Sequence, residues 1–484
     1  MPAPLSRQSA QTLTAQLAER LAERIRMRLI PVGSRLPSVR ECARQQGVSA
    51  YTVVAAYDLL QAQGLVEARP QRGFFVRDFV QKTGPERTGQ AKVAINAEAI
   101  QGASSGSRIN ASMLIRGMFF ESVAGKPQPG AGVLPADWLD APFLGAAMRK
   151  AGSGQALRDS LVRYGDPLGD ARLREALSQR LANLGLTVAP AQIVTTLGAT
   201  QALDVVSRAL LQPGDPVMVE EPGWAVEFAR LAALGMRVLA VPRGPDGPDL
   251  AVMRHYCETQ APKLYISVSV LHNPTGYSLS PASAHDVLQL AQRYGFHVVE
   301  DDTYSHIAPE HAARITVLDR LAHSIYISGF AKVLVPNWRI GYVAAPAALV
   351  ERIADTKLLS TLTTPSLMER ALALCMEQGQ LRRHAERLRQ RLAQARSRSA
   401  ALAEGAGCRF VAEPAGMFGW VDTDVDTELL AQRLLDEGYL IAPGAMFHAG
   451  RAASTCMRIN FATTQDELFW QRFAAIVAQL RRHG

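Results

Sequence analysis

The stretch Ser328-Gly329-Phe330-Ala331-Lys332 begins at the end of a short apolar run and precedes Arg339-Ile340-Gly341-Tyr342. Apolar runs of this length, bounded by polar or turn residues, are typical of buried strands. They occur at Ile193–Thr196, Pro216–Val219, Leu264–Val270, His297–Val299 and Ser324–Ile327. Helix-sized patterns alternate with them from about residue 131 onward, so the sequence predicts an α/β domain with a mostly parallel sheet.

Polar clusters follow several of these predicted strands. In an open α/β sheet, ligands bind beyond the carboxyl ends of the strands, so we expect the chemistry there. The segment that starts at Thr196 also opens a helix directly after a strand, where free backbone N–H groups favour an anion. The clusters and related motifs are Tyr164-Gly165-Asp166-Pro167-Leu168-Gly169, Thr196-Leu197-Gly198-Ala199-Thr200-Gln201, Glu221-Pro222-Gly223-Trp224, His272-Asn273-Pro274-Thr275-Gly276 and Glu300-Asp301-Asp302-Thr303-Tyr304.

In this order the motifs resemble the core of the fold type I pyridoxal-phosphate (PLP) aminotransferases, from about residue 131 to the C-terminus. The resemblance implies that Lys332 is the lysine that forms a Schiff base with PLP. It implies that Asp301 pairs with the pyridinium nitrogen and keeps the ring an electron sink. It also places Gly416–Trp420 and Ala442-Pro443-Gly444 in a small C-terminal subdomain.

The resemblance implies further contacts around the same cofactor. Tyr304 and Asn273 would hydrogen-bond the ring phenolate oxygen, and Trp224 would stack on the ring. Arg339 would clamp the phosphate as a bidentate donor, which its planar guanidinium allows. Tyr164 would reach the site of a neighbouring subunit, which requires a homodimer.

Two further parts of the site also follow from the resemblance. Arg458, within Met457-Arg458-Ile459-Asn460-Phe461, would bind the carboxylate of a small amino compound, the effector. The phosphate side departs from the family pattern, because Gly329, Ala331 and Ala199 stand where the family commonly has serines. The remaining candidates there are Ser328, one position too early, and Thr200 with the backbone amides at Ala199.

The N-terminal part of the chain carries most of the charge. Residues 1–80 contain eleven Arg, no Lys and six acidic residues, so they hold +5 of the formal net charge of +8. Apolar residues recur with helical spacing in three segments, Leu13 to Leu29, Val39 to Gly47, and a third whose apolar face holds Val53, Val54, Tyr57, Leu59 and Leu60. Ser38 with Glu41, and Ser49, are predicted helix caps. Two short alternating segments around Gly73 predict a hairpin, which completes a winged helix-turn-helix.

This N-terminal pattern resembles the GntR-type winged helix of bacterial regulators over about residues 12–78. The resemblance implies that Arg40, Ser49 and Thr52 contact double-stranded promoter DNA. It places Arg35 and Arg44 near the phosphate backbone, and Arg72 and Gly73 at the tip of the wing. Ala50 stands where the family often has an arginine.

The sequence therefore predicts three regions: a DNA-binding domain over 1–80, a linker over 81–130 rich in turn residues, and an aminotransferase-like domain over 131–484. An arginine-rich helix at 382–398 is interpreted as a solvated face, with a second DNA surface as the alternative. The five cysteines form no Cys-x-x-Cys pair, no zinc spacing occurs, and no apolar run reaches the roughly eighteen residues of a membrane span. We expect a cytoplasmic protein without a metal.

A winged helix joined to an aminotransferase-like domain resembles the MocR-type regulators. The resemblance implies a transcription factor whose PLP domain senses an amino compound or PLP itself. The alternative is an active aminotransferase in which the DNA-binding module is secondary, and the residues at the site do not separate the two.

Overall fold

The computed structural model describes residues 11–26, 30, 33–69, 72–77 and 128–483. These residues fall into two compact units, one up to residue 77 and the other from residue 128 onward. The predicted linker, 81–130, lies outside the described residues except for its last three positions.

The N-terminal unit is a winged helix-turn-helix, as predicted. Ser38 caps the second helix by accepting a hydrogen bond from the backbone N–H of Glu41, and Gly47 ends that helix with a φ of +64°. Ser49 caps the third helix in the same way through Thr52. The elements are α1 Leu13–Arg26, α2 Val39–Gln46, α3 Ala50–Ala62, β1 Val66–Arg69 and β2 Gly73–Val76, with the two strands antiparallel.

The apolar face predicted for α3 is wrong at two positions. Val54 and Leu59 are each 41% exposed, whereas Val53, Tyr57 and Leu60 are buried with Ala56. The helical repeat of 3.6 residues turns the first two side chains away from the packed face. The predicted end of the first helix, Leu29, lies outside the described residues.

The larger unit is built on a seven-stranded sheet in the order β3-β9-β8-β7-β6-β4-β5. All neighbours are parallel except β9, which runs antiparallel to both β3 and β8. This confirms the predicted α/β class. The strands are β3 Ile193–Thr196, β4 Pro216–Glu221, β5 Arg237–Pro242, β6 Leu264–Ser267, β7 His297–Asp301, β8 Ser324–Gly329 and β9 Gly341–Ala344.

Helices cover both faces of this sheet, so two apolar cores form, one on each side of it. Packing on both sides explains why the strands read as continuous apolar runs in the sequence. The helices of the unit are α4 Phe143–Ala151, α5 Gly154–Val162, α6 Ala171–Asn183, α7 Ala199–Leu210, α8 Ala225–Ala233, α9 Leu250–Gln260, α10 Pro281–Tyr294, α11 Ile315–Asp319, α12 Ala347–Thr361, α13 Ser366–Glu377, α14 Gln380–Gly405, α15 Thr427–Asp436 and α16 Glu467–His483.

A second sheet of four antiparallel strands forms the predicted small C-terminal subdomain, in the order β10-β11-β13-β12. The long helix α14 leads into it and contains the whole arginine-rich segment. The strands are β10 Arg409–Phe410, β11 Phe418–Asp422, β12 Ala442–Pro443 and β13 Cys456–Asn460. Within the described ranges, no helix is long and apolar enough to cross a membrane.

Candidate functional site

The carboxyl ends of the central strands bring four of the predicted side chains together. Asp301 ends β7, Lys332 follows β8 and Asn273 follows β6. Arg458, on β13 of the small sheet, donates from Nη1 to Asn273 Oδ1 at 2.9 Å. Residues that are far apart in sequence therefore line one site at the edge predicted for a ligand.

Lys332 carries an amine whose proton is easily lost. Burial, the neighbouring Arg458 and more weakly Arg339 lower the pKa of Lys332 to about 8, against a smaller opposing effect of Asp301. Its Nζ donates to the carbonyl oxygen of Gly132, which fixes the direction of the side chain. A lysine with a lowered pKa supplies the neutral amine that attack on a carbonyl requires.

Asp301 is a buried carboxylate with only one of its two oxygens hydrogen-bonded by the described residues. Its Oδ1 accepts hydrogen bonds from the backbone N–H, at 3.1 Å, and the hydroxyl of Thr303. Burial raises the pKa of Asp301 to about 6, although these hydrogen bonds act in the opposite direction. Among the residues that the structure describes, no donor reaches Oδ2, so this oxygen suits a cationic N–H group such as a pyridinium nitrogen.

The beginning of α7 forms an anion cradle together with Arg339. Gly198 precedes the helix with a φ of +82°, and a Cβ built there would lie 2.6 Å from Arg339 Nη2. A Cβ at Gly341 would lie 2.4 Å from the carbonyl carbon of Gly198. Only glycines fit this close approach, which leaves the helix N–H groups and a guanidinium facing the same space. The arrangement fits the phosphate of PLP.

The hydroxyl candidates near this cradle differ in position. Ser328 is buried, and its Oγ donates to the carbonyl oxygen of Asp302 at 2.8 Å, so the structure does not bring this hydroxyl to the cradle. The neighbouring Gly329 faces it instead, because a Cβ there would lie 3.3 Å from the backbone nitrogen of Ala199. Thr200 lies exposed in the first turn of α7.

Tyr304 and Asn273 lie beside Arg458. Burial raises the pKa of Tyr304, although Arg458 and a hydrogen bond with Asn273 act in the opposite direction. The phenol therefore stays protonated and can donate a hydrogen bond. Trp224 is half-buried at the beginning of α8 and packs against the core. Tyr164 is 81% exposed, and its predicted role at the site of another subunit stays a prediction.

Arg458 is a buried cation without a carboxylate partner among the described residues. The side chain is 5% exposed and lies over the ring of Phe418, 4.4 Å from its centroid. It donates to Asn273 and, at 2.7 Å, to the carbonyl oxygen of Gly130, while its Nε has no partner there. Burial lowers its pKa to about 10, so it remains charged at neutral pH. Such a group suits a ligand carboxylate.

A buried network behind Asn273 escaped the sequence reasoning. Glu220 accepts from Tyr265 at 3.0 Å and pairs with Arg243 at 3.1 Å. His272 Nε2 lies 3.4 Å from the same carboxylate, and its Nδ1 is 2.9 Å from the hydroxyl of Thr275. These contacts hold the loop that carries Asn273. They could not be predicted from spacing in the sequence, because the partners come from separate strands.

The predicted DNA-contacting residues lie on the winged helix as follows. Arg40 is exposed, and Arg44 pairs with Glu41 one turn away. Arg35 lies against the wing: a Cβ at Gly73 would be 3.1 Å from its Nε. Ser49, Thr52 and Arg72 are at least partly exposed, and the Ser49 hydroxyl is 2.8 Å from that of Thr52, so this pair also fixes the start of α3.

Tyr51 was not predicted as a functional residue. It is 83% exposed in the first turn of α3, on the side away from buried Val53. The signal was available in the sequence as an aromatic residue two positions after the cap Ser49. A surface-exposed aromatic at this end of a recognition helix suits contact with base edges.

The fold and the site define an aminotransferase-like domain joined to a winged helix. The family model "Aminotransferase class I and II" matches residues 132–470, and "Bacterial regulatory proteins, gntR family" matches residues 13–76. The chain therefore belongs to the class I and II aminotransferase family, in the MocR-type arrangement with a gntR-family domain at its N-terminus. The cofactor of this family is PLP, which the carboxylate, lysine and cradle described above fit.

Similar proteins include both regulators and enzymes. The "Uncharacterized HTH-type transcriptional regulator YdcR" of Escherichia coli is 31% identical over 92% of this chain and 94% of that protein. The 2-aminoadipate transaminase of Thermus thermophilus is 29% identical over 63% of this chain and 78% of that protein. The solved structure of LysN, an alpha-aminoadipate aminotransferase of the same species, has a TM-score of 0.69 at 23% identity, covering 77% of this chain and 96% of that one, which shows the shared fold.

Proposed function

We propose that this chain is a cytoplasmic, PLP-dependent transcriptional regulator whose aminotransferase-like domain binds an amino compound and controls DNA binding by the winged helix. One observation carries the proposal: the same chain combines a gntR-family domain with a site in which buried Arg458 lacks a carboxylate partner, among the described residues, beside Lys332. A binding site for an amino acid and a reader of promoter DNA are thus covalently linked.

The side chains divide the work by chemistry. PLP, when bound, supplies an aldehyde carbon that combines reversibly with primary amines. Lys332 holds and releases a proton at Nζ near neutral pH, and Asp301 offers its free Oδ2 to the ring nitrogen. Tyr304 and Asn273 orient the ring through their polar groups, and Arg458 selects amines that also bear a carboxylate.

An effector can control DNA binding only if it binds two states of the protein with different affinity. Arg458 lies on the small sheet, whereas Asp301 ends a strand of the large sheet and Asn273 and Lys332 lie in loops that follow its strands. A ligand that contacts both sets therefore couples the two sheets. We propose that this coupling is the switch, and that PLP itself is the second candidate effector.

The same proposal includes a homodimer. Leu161, Val162 and Tyr164 are exposed, and so are Leu359 and Leu362 on a second segment. The two segments lie side by side, since the backbone N–H of Gly165 donates to the hydroxyl of Thr363 at 3.2 Å. Exposed apolar side chains on two adjoining segments favour a protein interface, and a second copy of the chain fits the expected exchange of Tyr164 between subunits.

The test is a titration of the PLP-loaded full chain with amines and amino acids. The visible absorption of the cofactor is recorded at each addition, and keto acid is assayed in parallel. We expect one class of amino acid to shift the band and alter affinity for target DNA without accumulating keto acid. Lys332→Ala should abolish the lysine-linked band and the effector response but retain DNA binding. A band that persists in this variant would refute the role of Lys332.

The second candidate function is an active aminotransferase, and the intact set of Lys332, Asp301, Tyr304 and Arg458 favours it. Catalytic accumulation of keto acid, with no change in DNA affinity on adding the same amino acid, would establish this function in place of regulation.

A further inference from the structure

A second concave site lies at the beginning of α14, and the proposed function does not use it. It is a cavity of about 690 Å³, within the usual range for small-molecule sites. It is lined by Phe143, Glu310, Gln380, Arg382, Arg383, Glu386, Arg387 and Arg389. The arginine-rich helix predicted from the sequence is therefore not uniformly a solvated face, because its first turns form one wall of a cavity.

The wall carries more positive charge than its acidic residues offset. Arg389 pairs with Glu386. Arg383 donates to the carbonyl oxygen of Gln378 at 3.1 Å. In the described part of the chain, Arg382 and Arg387 have no carboxylate within 4.0 Å. Four arginines thus line this cavity together with two carboxylates, those of Glu386 and Glu310, among the described residues.

Two polar atoms on this wall are buried without a partner among the described residues. They are Nε of Arg389, a donor, and Oε1 of Gln380, an acceptor. Buried polar groups in folded proteins are nearly always hydrogen-bonded, so Arg389 and Gln380 stand beside the cavity with hydrogen-bonding capacity that the described residues leave unused.

We propose that this cavity binds a small anion with phosphate or carboxylate groups and that the bound anion influences the segment of Lys332. Phe143 gives the cavity an apolar wall, which a compact organic anion can cover. A DNA backbone is the less suitable occupant, because a duplex presents its phosphates in a row, whereas these four arginines line a single concave space.

The connection to Lys332 runs through one buried side chain on the same helix. His384 Nε2 lies 2.8 Å from the carbonyl oxygen of Val333, the residue that follows Lys332. The ring of Phe143 in the cavity wall meets the ring of His384 edge to face, with centroids 5.8 Å apart. An anion that neutralises Arg387 changes the field at His384, whose protonation this arginine disfavours.

The experiment uses the PLP-loaded full chain, so that the cradle at Gly198 is already filled. Pyrophosphate and citrate are titrated separately by calorimetry, which distinguishes phosphate from carboxylate ligands, and the visible band of the cofactor is recorded at each step. The test variant is Arg382→Gln with Arg387→Gln. The matched control is Arg398→Gln, an exposed arginine of the same helix outside the cavity, paired with Glu467 at 3.4 Å.

We expect one saturable site per chain for at least one of the two anions, weakened at least tenfold by the double variant and unchanged in the control. Equal affinity in all three proteins, or no saturable binding, overturns the proposal. Competition by a duplex of arbitrary sequence, lost in the double variant, overturns it in favour of DNA. If the anion binds but the absorption band of the cofactor does not change, the connection to Lys332 is overturned. Because the site is separate from Arg458, none of these results depends on the proposed effector.

Discussion

At the scale of single residues, Lys332 sits among opposing charges that set its reactivity. Burial is the largest cause of its lowered pKa, Arg458 is the next, and Asp301 opposes both. The apoprotein should therefore take up PLP with a rate that rises about tenfold per pH unit up to about pH 8 and then levels off, since only the neutral amine attacks. Stopped-flow absorbance across this range measures the profile.

Arg458→Gln should move this profile to higher pH, because removing a nearby cation raises the pKa of Lys332. Arg409→Gln, whose guanidinium pairs with Asp422 at an exposed strand end, is the control and should leave it unchanged. Superimposed profiles for the natural protein and Arg458→Gln would contradict the electrostatic assignment.

Asp301 makes the stability of the apoprotein depend on pH between about 4 and 6, below the range in which Lys332 titrates. The folded pKa, about 6, lies above the ordinary 3.8, so the fold binds a proton more tightly than the unfolded chain does. Stability is therefore lost as pH rises through this interval and stays lost above it. Asp301→Asn should make the apoprotein more stable at pH 7.5, by about 2–3 kcal/mol at most, with the gap closing towards pH 4.

Urea unfolding followed by tryptophan fluorescence measures this difference, because all five tryptophans lie beyond residue 131 and report on the larger unit. Loading with PLP should reverse the order of the two proteins, since a pyridinium nitrogen compensates the natural carboxylate and not the amide. An unchanged order after loading would mean that Asp301 does not face the ring.

The order of the motifs along the chain, through their resemblance to the aminotransferases, predicted Lys332, Asp301 and Asn273, and the structure brings these three side chains to one site. The residues that face the phosphate were harder to predict from the sequence. Ser328 and Gly329 are adjacent, but successive residues of a strand face opposite sides, and only position 329 faces the cradle. The lack of a carboxylate partner for Arg458 among the described residues could not be predicted, since it depends on which side chains do not approach.

At the scale of elements, α3 is a helix with two distinct faces. Val53 and Tyr57 are buried, whereas Tyr51 and Val54 are exposed on the other side. Tyr51→Ala should therefore weaken binding to the target duplex several-fold, on the order of 1 kcal/mol, while binding to unrelated duplex stays the same. Fluorescence anisotropy at fixed salt with both duplexes measures the ratio.

Arg40→Ala is the companion variant for this element. Its guanidinium is exposed next to the cap of α2, so its loss should weaken binding to the target duplex and leave the PLP absorption band unchanged. Equal loss of target and unrelated binding by Tyr51→Ala would remove it from base recognition. Unaltered affinity in Arg40→Ala would remove that residue from the interface.

The sequence predicted the caps of these helices better than their faces. Ser38, Ser49 and Gly47 act within one turn, so local chemistry determines them. The helical repeat fixes the angle between Val54 and Tyr57, but which side of α3 packs on α1 depends on the tertiary fold and not on the local sequence. The cavity at the start of α14 likewise needs α4 and the loop at Glu310, which are distant in the sequence.

At the scale of the whole molecule, the exposed apolar segments predict the association of two chains. Leu359 is 92% exposed on α12 and lies in the surface that we assign to the homodimer. Leu359→Glu should shift the protein from dimer to monomer and weaken PLP binding, because a buried charge in an apolar interface is costly and Tyr164 would leave the partner's site.

Sedimentation velocity measures the change in mass. Leu429→Glu, which alters an exposed leucine of α15 outside those segments, is the control and should remain dimeric. Identical sedimentation of all three proteins would show that the subunits associate elsewhere or not at all.

The buried cation at Arg458, which lacks a carboxylate among the described residues, also has a consequence for how long the protein survives. A fold that keeps an uncompensated buried charge unfolds more readily, and a ligand that binds only the folded form suppresses this in proportion to its concentration. Proteases act on opened chains, so if an effector binds at Arg458 as proposed, we expect copies without it to be removed faster. The supply of that effector would then set the number of molecules in the cell as well as the state of each one on DNA.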